Sequence, residues 1–403
     1  MKRAVALHPE VRRLLAARPA PAAPVASAPR RVLHLLSTLQ RGGTEMALLR
    51  LLPRMDPAAW TFRVAWLHGP ADLGDDFARA CGAEPMPLGL RFKADVVVLP
   101  RLVALMRRER IDLLQTHMDL ADYYGAAAAR LAGTRLISIR QNADEFRTRR
   151  TWKRPPFLLL EHLSYAAADA VIAVSDGLVE FLARAEGLPR HKTVVIPNGV
   201  DETIAARAPE SKAARQALGL PEGPLIGSVG RLAEQKGHLY LIRALPEIRS
   251  GVPGARVVLA GEGPERARLE AEAKRLGVGD AVIFLGHRDD VLTVLAALDL
   301  FAFPSLWEGL PMALLEAMTL AKPSVAARGV GIDDLVTDDV TGLLVEPRDA
   351  AGLAAAARRL LRDKETAERL GEAARRLVLR RHTLGRIAQD TDRLYRRVLR
   401  GER

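Results

Sequence analysis

The sequence predicts an α/β protein of two successive Rossmann-like domains facing across a cleft, and three observations predict it. Short apolar, strand-like runs alternate with helical patterns from residue 31 onward, as in parallel sheets covered by helices on both faces. The alternation pauses near 200–222, where Pro209, Gly219, Pro221, Gly223 and Pro224 gather in a linker-like stretch, and then restarts. From 349 to 401 the strand signal gives way to Ala, Leu, Arg and Glu at helical spacing. At roughly 100–200 residues per domain, a chain of 403 residues also exceeds one core.

Taken in order, residues 1–30 are rich in Ala, Pro and Arg, and RPAPAAPVASAP (18–29) reads as a flexible tail that builds no core. The first domain, expected over 31–205, opens with the strand RVLHLLS (31–37), a glycine turn in QRGGTE, and the helix TEMALLRLLPRM. Its further strands are TFRVAWLH (61–68), IDLLQTH (111–117), RLISIRQ (135–141), AVIAVS (170–175) and TVVIPNG (193–199), with helices at 95–110 and 119–133 among them. The second domain, expected over 206–380, carries strands at PLIGSVG (224–230), ARVVLAGEG (255–263), AVIFLGHR (281–288), LFAFPS (300–305), PSVAAR (323–328) and TGLLVEP (341–347). In such folds ligands bind at the carboxyl ends of the strands.

Composition narrows the function. No run approaches the ~18 apolar residues of a membrane-spanning helix. His8, Pro9 and Glu10 break any apolar signal core, so a cytoplasmic protein is expected. A single cysteine, Cys81, excludes an intramolecular disulfide and reads as a small packing residue, since no partnering base is evident. The net charge of +12 is uneven: 29 basic against 19 acidic residues in 1–200, 16 against 22 in 201–350, and 15 against 7 in 351–403. A basic surface attracts nucleic acid, anionic membrane or a phosphorylated substrate. An aromatic content of 4% and the lack of a recognition motif argue against nucleic acid. Only 9 of the 60 basic residues are lysines, so the arginine excess is compositional.

Four constellations carry candidate chemistry. Gly230-Arg231-Leu232-Ala233-Glu234-Gln235-Lys236-Gly237 follows a strand and opens a helix. Two cations five residues apart, beside free helix N–H groups, make a diphosphate cradle; the alternative is a solvated basic loop. In Glu308-Gly309-Leu310-Pro311-Met312-Ala313-Leu314-Leu315-Glu316, Pro311 starts a helix with Glu308 just outside it and Glu316 inside. If the segment were wholly helical, eight residues would separate the carboxylates by about 12 Å, too far for a carboxylate pair but suited to two ends of one extended ligand. The alternative is a dipole-complementing acid plus a surface glutamate. Gly42-Gly43 after the first strand permits close approach to a phosphate, or is a plain turn. His117, ending a strand, faces the expected cleft and would hydrogen-bond a sugar or relay a proton; a structural histidine is the simpler alternative. Asp119 and Asp122 read as solvated acids, not metal ligands, for want of a second histidine. Finally, Arg147, Arg149, Arg150, Lys153 and Arg154 surround Phe146 and Trp152, a cluster suited to an anionic bilayer or to solvent.

Together the motifs resemble glycosyltransferase family 4, the retaining enzymes of the GT-B fold. The resemblance rests on E-x7-E (Glu308, Glu316), GRLAEQKG (230–237), the early GG (42–43), VIPNGVD (195–201), LAGEGPE (259–265) and FLGHRDDV (284–291), and spans roughly residues 31–380. It implies that Arg231 and Lys236 hold a donor diphosphate, with Gly42 and Gly43 approaching from the opposite domain. It further implies that Glu316 bonds the ribose, that Glu308 and His117 hold the transferred sugar beside the donor-binding segment Gly309, Leu310, Pro311 and Met312 with its free amides, and that the base sits near Gly286, His287 and Arg288. The implied activity is transfer of a hexose-type sugar, from a UDP-sugar by preference, to a glycan or lipid-linked acceptor in cell-envelope or polysaccharide synthesis. No cofactor or divalent metal is expected, and peripheral contact with the cytoplasmic membrane face is. The last helix, 381–403, is expected to cross back onto the first domain. Two segments depart from the family pattern: Gln141-Asn142 stands where a histidine is common, and Val330-Gly331-Ile332-Asp333-Asp334 where a glycine pair and a glutamate are. A sugar-nucleotide epimerase, a phosphorylase or a basic nucleic-acid-binding protein are the alternatives.

Overall fold

The protein is described by a computed structural model over residues 28–92, 95–143 and 154–402. Its first sheet comprises β1 (Arg30–Leu36), β2 (Trp60–Trp66), β3 (Met86–Pro87), β4 (Leu113–His117), β5 (Arg135–Arg140), β6 (Ala170–Ala173) and β7 (Thr193–Val195). The second comprises β8 (Leu225–Val229), β9 (Arg256–Ala260), β10 (Val282–Gly286), β11 (Leu300–Phe303), β12 (Ser324–Ala327) and β13 (Leu343–Val345). Strand orders are β3-β2-β1-β4-β5-β6-β7 and β10-β9-β8-β11-β12-β13, and neighbouring strands run parallel. Each sheet therefore reverses direction of winding beside its first strand, between β1 and β4 and between β8 and β11. A switch point of this kind opens a crevice at the carboxyl ends.

The strands are apolar without alternation because helices cover both faces: β4 and β6 are buried at every position. In the first domain the helices are α1 (Gly43–Leu51), α2 (Gly74–Cys81), α3 (Val98–Arg108), α4 (Asp119–Ala132), α5 (Arg154–Ala167) and α6 (Asp176–Glu186). After β7 come α7 (Ile204–Arg207) and α8 (Ser211–Ala217). The second domain continues with α9 (His238–Gly251), α10 (Arg266–Arg275), α11 (Val291–Ala297), α12 (Met312–Thr319), α13 (Ala350–Arg362), α14 (Lys364–Arg381) and α15 (Leu384–Arg400).

Two elements differ from the sequence expectation. The Pro/Gly stretch near 200–222 is folded rather than a bare linker: SKAARQA between its prolines is a run of good helix formers and makes α8, whose Ala214 packs on Ala296 and Ala297 of α11. β3 is a two-residue edge strand ending in Pro87, a position where a missing N–H costs nothing.

The last helix does return to the first domain. Val200 and His382 exchange the chain between domains through Val200 N–H to His382 O (2.7 Å) and Leu384 N–H to Val200 O (2.9 Å). From there α15 lays Tyr395 edge-on against Trp60, ring centroids 5.2 Å apart, and the Tyr395 hydroxyl donates to Gln115 of β4. The Trp60 indole N–H donates to Asp392 (2.7 Å). Two large aromatics with their polar ends satisfied anchor the helix on the sheet.

Candidate functional site

The second sheet presents its carboxyl-end loops as one laced surface. Gly230 N–H bonds Ala260 O, Leu232 N–H bonds Glu262 O and Gly261 N–H bonds Gly286 O, at 2.7–2.9 Å. Gly261 holds φ +148, and a Cβ there would stand 2.0 Å from Gly230 O, so only glycine lets the β8 and β9 loops touch. This lacing fixes the Arg231–Lys236 loop, which closes on the N-terminus of α9 at Gly237. Lys236 folds back beside Gly230, and its Nζ lies 2.5 Å from Glu308 Oε1. Arg231 is exposed and makes no ion pair among the described residues. The structure therefore joins Lys236 to Glu308 directly, a contact between two motifs 72 residues apart.

Pro311 is the N-cap of α12, as expected, with Glu308 outside the helix and Glu316 buried inside it among Leu314, Leu315, Ala317 and Met318. The two carboxylates thus lie at opposite ends of a half-helical segment. Glu316 Oε1 accepts from Arg50 Nη1 of α1 at 2.6 Å, a bond between domains. Further out, Gly286 is followed by the exposed His287 and by Arg288, which forks onto Asp290 with two bonds of 2.7 Å. Asp289 pairs with Arg41 of the facing domain at 3.1 Å.

On the first-domain side, Gly42 caps α1, and a Cβ on Gly43 would meet nothing within 4 Å. Glu45, three residues after the cap, folds its carboxylate over Gly42, and burial raises its pKa despite a hydrogen bond from Thr38. Sequence reasoning passed over Glu45, although a glutamate at that spacing from a cap is a capping-box signal. His117 is buried rather than open to the cleft. Its Nε2 lies 3.1 Å from His34 Nδ1, its Nδ1 has no hydrogen-bond partner among the described residues, and burial depresses its pKa to about 3. The imidazole is therefore neutral at physiological pH and acts only through a neutral hydrogen bond. It lines a largely apolar cavity with Gln115, Gln141, Asn198 and Thr391.

Asp122, weighed as a solvated acid, is buried: Thr116 and Ser138 donate to it, and Arg140 lies 3.3 Å away in a charged network with Glu161. The network joins residues of β4 and β5 to residues of α4 and α5, so its partners are brought together only by the packing of helices on the sheet. Cys81 is half-buried and its thiol is pushed up to about 11 by burial, so it carries no nucleophilic thiolate.

The domains are tied together around Gly309. Its would-be Cβ stands 1.9 Å from Gln141 O, so glycine is what allows the β5 loop to touch the Glu308 loop. Ser175 Oγ donates to Gly309 O (3.0 Å) and Asn198 Nδ2 to Leu310 O (3.0 Å). Asp334 accepts from Gly177 N–H at the start of α6. The two segments that depart from the family pattern, 141–142 and 330–334, thus serve as domain contacts. Arg147, Arg149, Arg150, Trp152 and Lys153 lie outside the described residues; Arg154 begins α5, its side chain likewise outside them. Among the described residues no three His, Cys, Asp or Glu side chains are grouped to hold a metal ion, and no helix is long and apolar enough to cross a membrane.

Comparison with known proteins agrees with this layout. A family model described as Glycosyltransferase Family 4 matches residues 41–203, and one described as Glycosyl transferases group 1 matches 210–377. The 2-deoxystreptamine glucosyltransferase of Streptomyces kanamyceticus is 32% identical over 66% of this chain and 72% of its own. The UDP-Gal:alpha-D-GlcNAc-diphosphoundecaprenol alpha-1,3-galactosyltransferase of Escherichia coli is 29% identical over 73% and 78%. Among solved structures, Anabaena Alr3699/HepE in complex with UDP and glucose superposes with a TM-score of 0.79 at 24% identity, covering 91% of this chain and 99% of that one.

Proposed function

Because this chain belongs to glycosyltransferase family 4 and so transfers a sugar from a nucleotide-sugar donor, we propose that it moves a hexose from a UDP-sugar, with retention and without a divalent metal, to a glycan or lipid-linked acceptor. The observation that carries the reading is the Arg231–Lys236 loop, with one exposed cation and one bonded to Glu308, packed on the segment 306–308 that leads into α12. UDP is favoured because HepE is described with UDP and glucose and the E. coli relative is named for UDP-Gal.

In this reading the diphosphate takes the space between Arg231, Lys236 and the first N–H groups of α12. Lys236 then shifts its charge from Glu308 to phosphate, which frees the Glu308 carboxylate to accept from sugar hydroxyls. The bond from the anomeric carbon to phosphate breaks, and the acceptor oxygen bonds the same carbon on the same face. The hydroxyl proton passes to the departing phosphate oxygen. The cations and helix N–H groups stabilise the charge that develops on the leaving group, in place of a metal. His117, buried against His34 and neutral, carries no charge in this step. The basic cluster at 147–154 would dock the first domain on the cytoplasmic face of an anionic membrane, where a lipid-linked acceptor resides.

Thermal-shift titration with UDP-, GDP- and ADP-sugars tests the reading. A UDP-sugar at 100 times its Kd should stabilise by about 2.7 kcal/mol. A shift only with GDP- or ADP-sugar would move the donor base, and no shift with any would overturn the proposal.

A further inference from the structure

We infer that Arg50 is a positioning residue for the donor ribose, acting through Glu316. The inference rests on the proposed function, in which Glu316 accepts hydrogen bonds from the ribose hydroxyls.

Glu316 sits inside a helix whose neighbouring side chains are apolar and buried, so nothing on its own element fixes the carboxylate. What fixes it comes from the other domain. Arg50, in the last turn of α1, reaches across to place Nη1 2.6 Å from Oε1. The pair is sheltered, with the Glu316 side chain 10% and the Arg50 side chain 36% exposed. A carboxylate accepts on both oxygens. Oε2 makes no hydrogen bond among the described residues, so it remains available to a hydroxyl while Arg50 stays in place. A planar guanidinium bonded to one oxygen sets the direction of the other, which a flexible ammonium does less well.

The second consequence concerns α1 itself. Its first turn begins at the Gly42–Gly43 cap, on the side expected to face phosphate, and its last turn carries Arg50. Nine helical residues span about 13 Å, so one rigid element serves both ends of the nucleotide. Ribose recognition then depends on the first domain standing against the second, although the carboxylate belongs to the second. A rival role, in which Arg50 merely fills the ribose position until the donor displaces it, predicts the opposite sign: removing Arg50 would tighten binding.

The test uses the full chain. Titration calorimetry with UDP and with 2′,3′-dideoxy-UDP is run on wild type, Arg50→Ala and Arg50→Lys, together with donor KM and kcat from UDP-sugar turnover. Wild type should bind UDP more tightly than the dideoxy analogue. In Arg50→Ala the donor KM should rise about tenfold with kcat nearly unchanged, and the preference for UDP over the dideoxy analogue should shrink. Arg50→Lys should regain part of both. Equal or tighter UDP binding by Arg50→Ala would overturn the inference, as would an equal loss for the two ligands. Failure of wild type to bind any nucleoside diphosphate would instead overturn the functional reading beneath it.

Discussion

Lys236 and Glu308 set a problem that single substitutions alone do not solve. Their 2.5 Å bond is partly shielded, so Lys236→Ala removes the proposed phosphate ligand and also strands a buried carboxylate. We expect turnover to fall about 100-fold or more, as when a donor to a developing anion is removed, and thermal stability to drop as well. The double variant Lys236→Ala/Glu308→Gln should recover stability but not turnover. Recovery of turnover would show that the pair is only structural. Arg231→Ala should cost turnover with little stability, since Arg231 is exposed and makes no ion pair among the described residues.

The buried histidines make a separate prediction. His117 and His238 are held near pKa 3 and His382 near 4 by burial, and His34 is lowered too. Their folded values lie below the unfolded value of about 6.5, so the unfolded chain binds more protons as pH falls. Stability should therefore decline from about pH 6.5 toward pH 4, by up to about 2 kcal/mol at pH 5 for each of His117 and His238. Melting curves at pH 7 and pH 5 check this, and equal stability at both would contradict it. The same values predict that the pH–rate profile has no limb near 6.5 from His117. Its position at a strand end was legible in sequence; its pairing with His34 was not, because β1 and β4 meet only through the sheet order.

At the scale of elements, the strand–loop–helix rhythm revealed most of both sheets, since parallel strands buried on both faces are continuous apolar runs. It missed α8, where prolines and glycines hid a short helix, and β3, which is too short to carry a pattern. It also missed the domain contacts of Arg50, Ser175, Asn198 and Asp334, which join residues 112–266 positions apart and depend on how the two sheets face each other. The contact at Gly309 carries a prediction. A Cβ 1.9 Å from Gln141 O would push the Glu308 loop off β5, at about 1–3 kcal/mol against the closed arrangement. Gly309→Ala should raise donor KM and enlarge the radius of gyration measured with saturating UDP. An unchanged radius and KM would mean the contact does not hold the domains.

For the molecule as a whole, contacts between the loops that follow β6, β7 and β11 join the carboxyl ends of the two sheets, and the proposed function gives the cations there the work of a metal. Because Arg231 and Lys236 are proposed to neutralise the diphosphate, turnover should survive EDTA; complete loss, restored by Mg²⁺ or Mn²⁺, would show that a metal does this instead. Liposome flotation checks the membrane reading: binding to anionic vesicles should weaken with salt and with neutralisation of Arg147, Arg149, Arg150, Lys153 and Arg154. No association at low salt would favour a soluble acceptor. The central claim is same-face transfer from a nucleotide sugar, and the anomeric configuration of the product tests it most directly. NMR of the sugar first released or transferred from an α-linked UDP-sugar should show the α anomer before any mutarotation. A β anomer as first product would contradict the account.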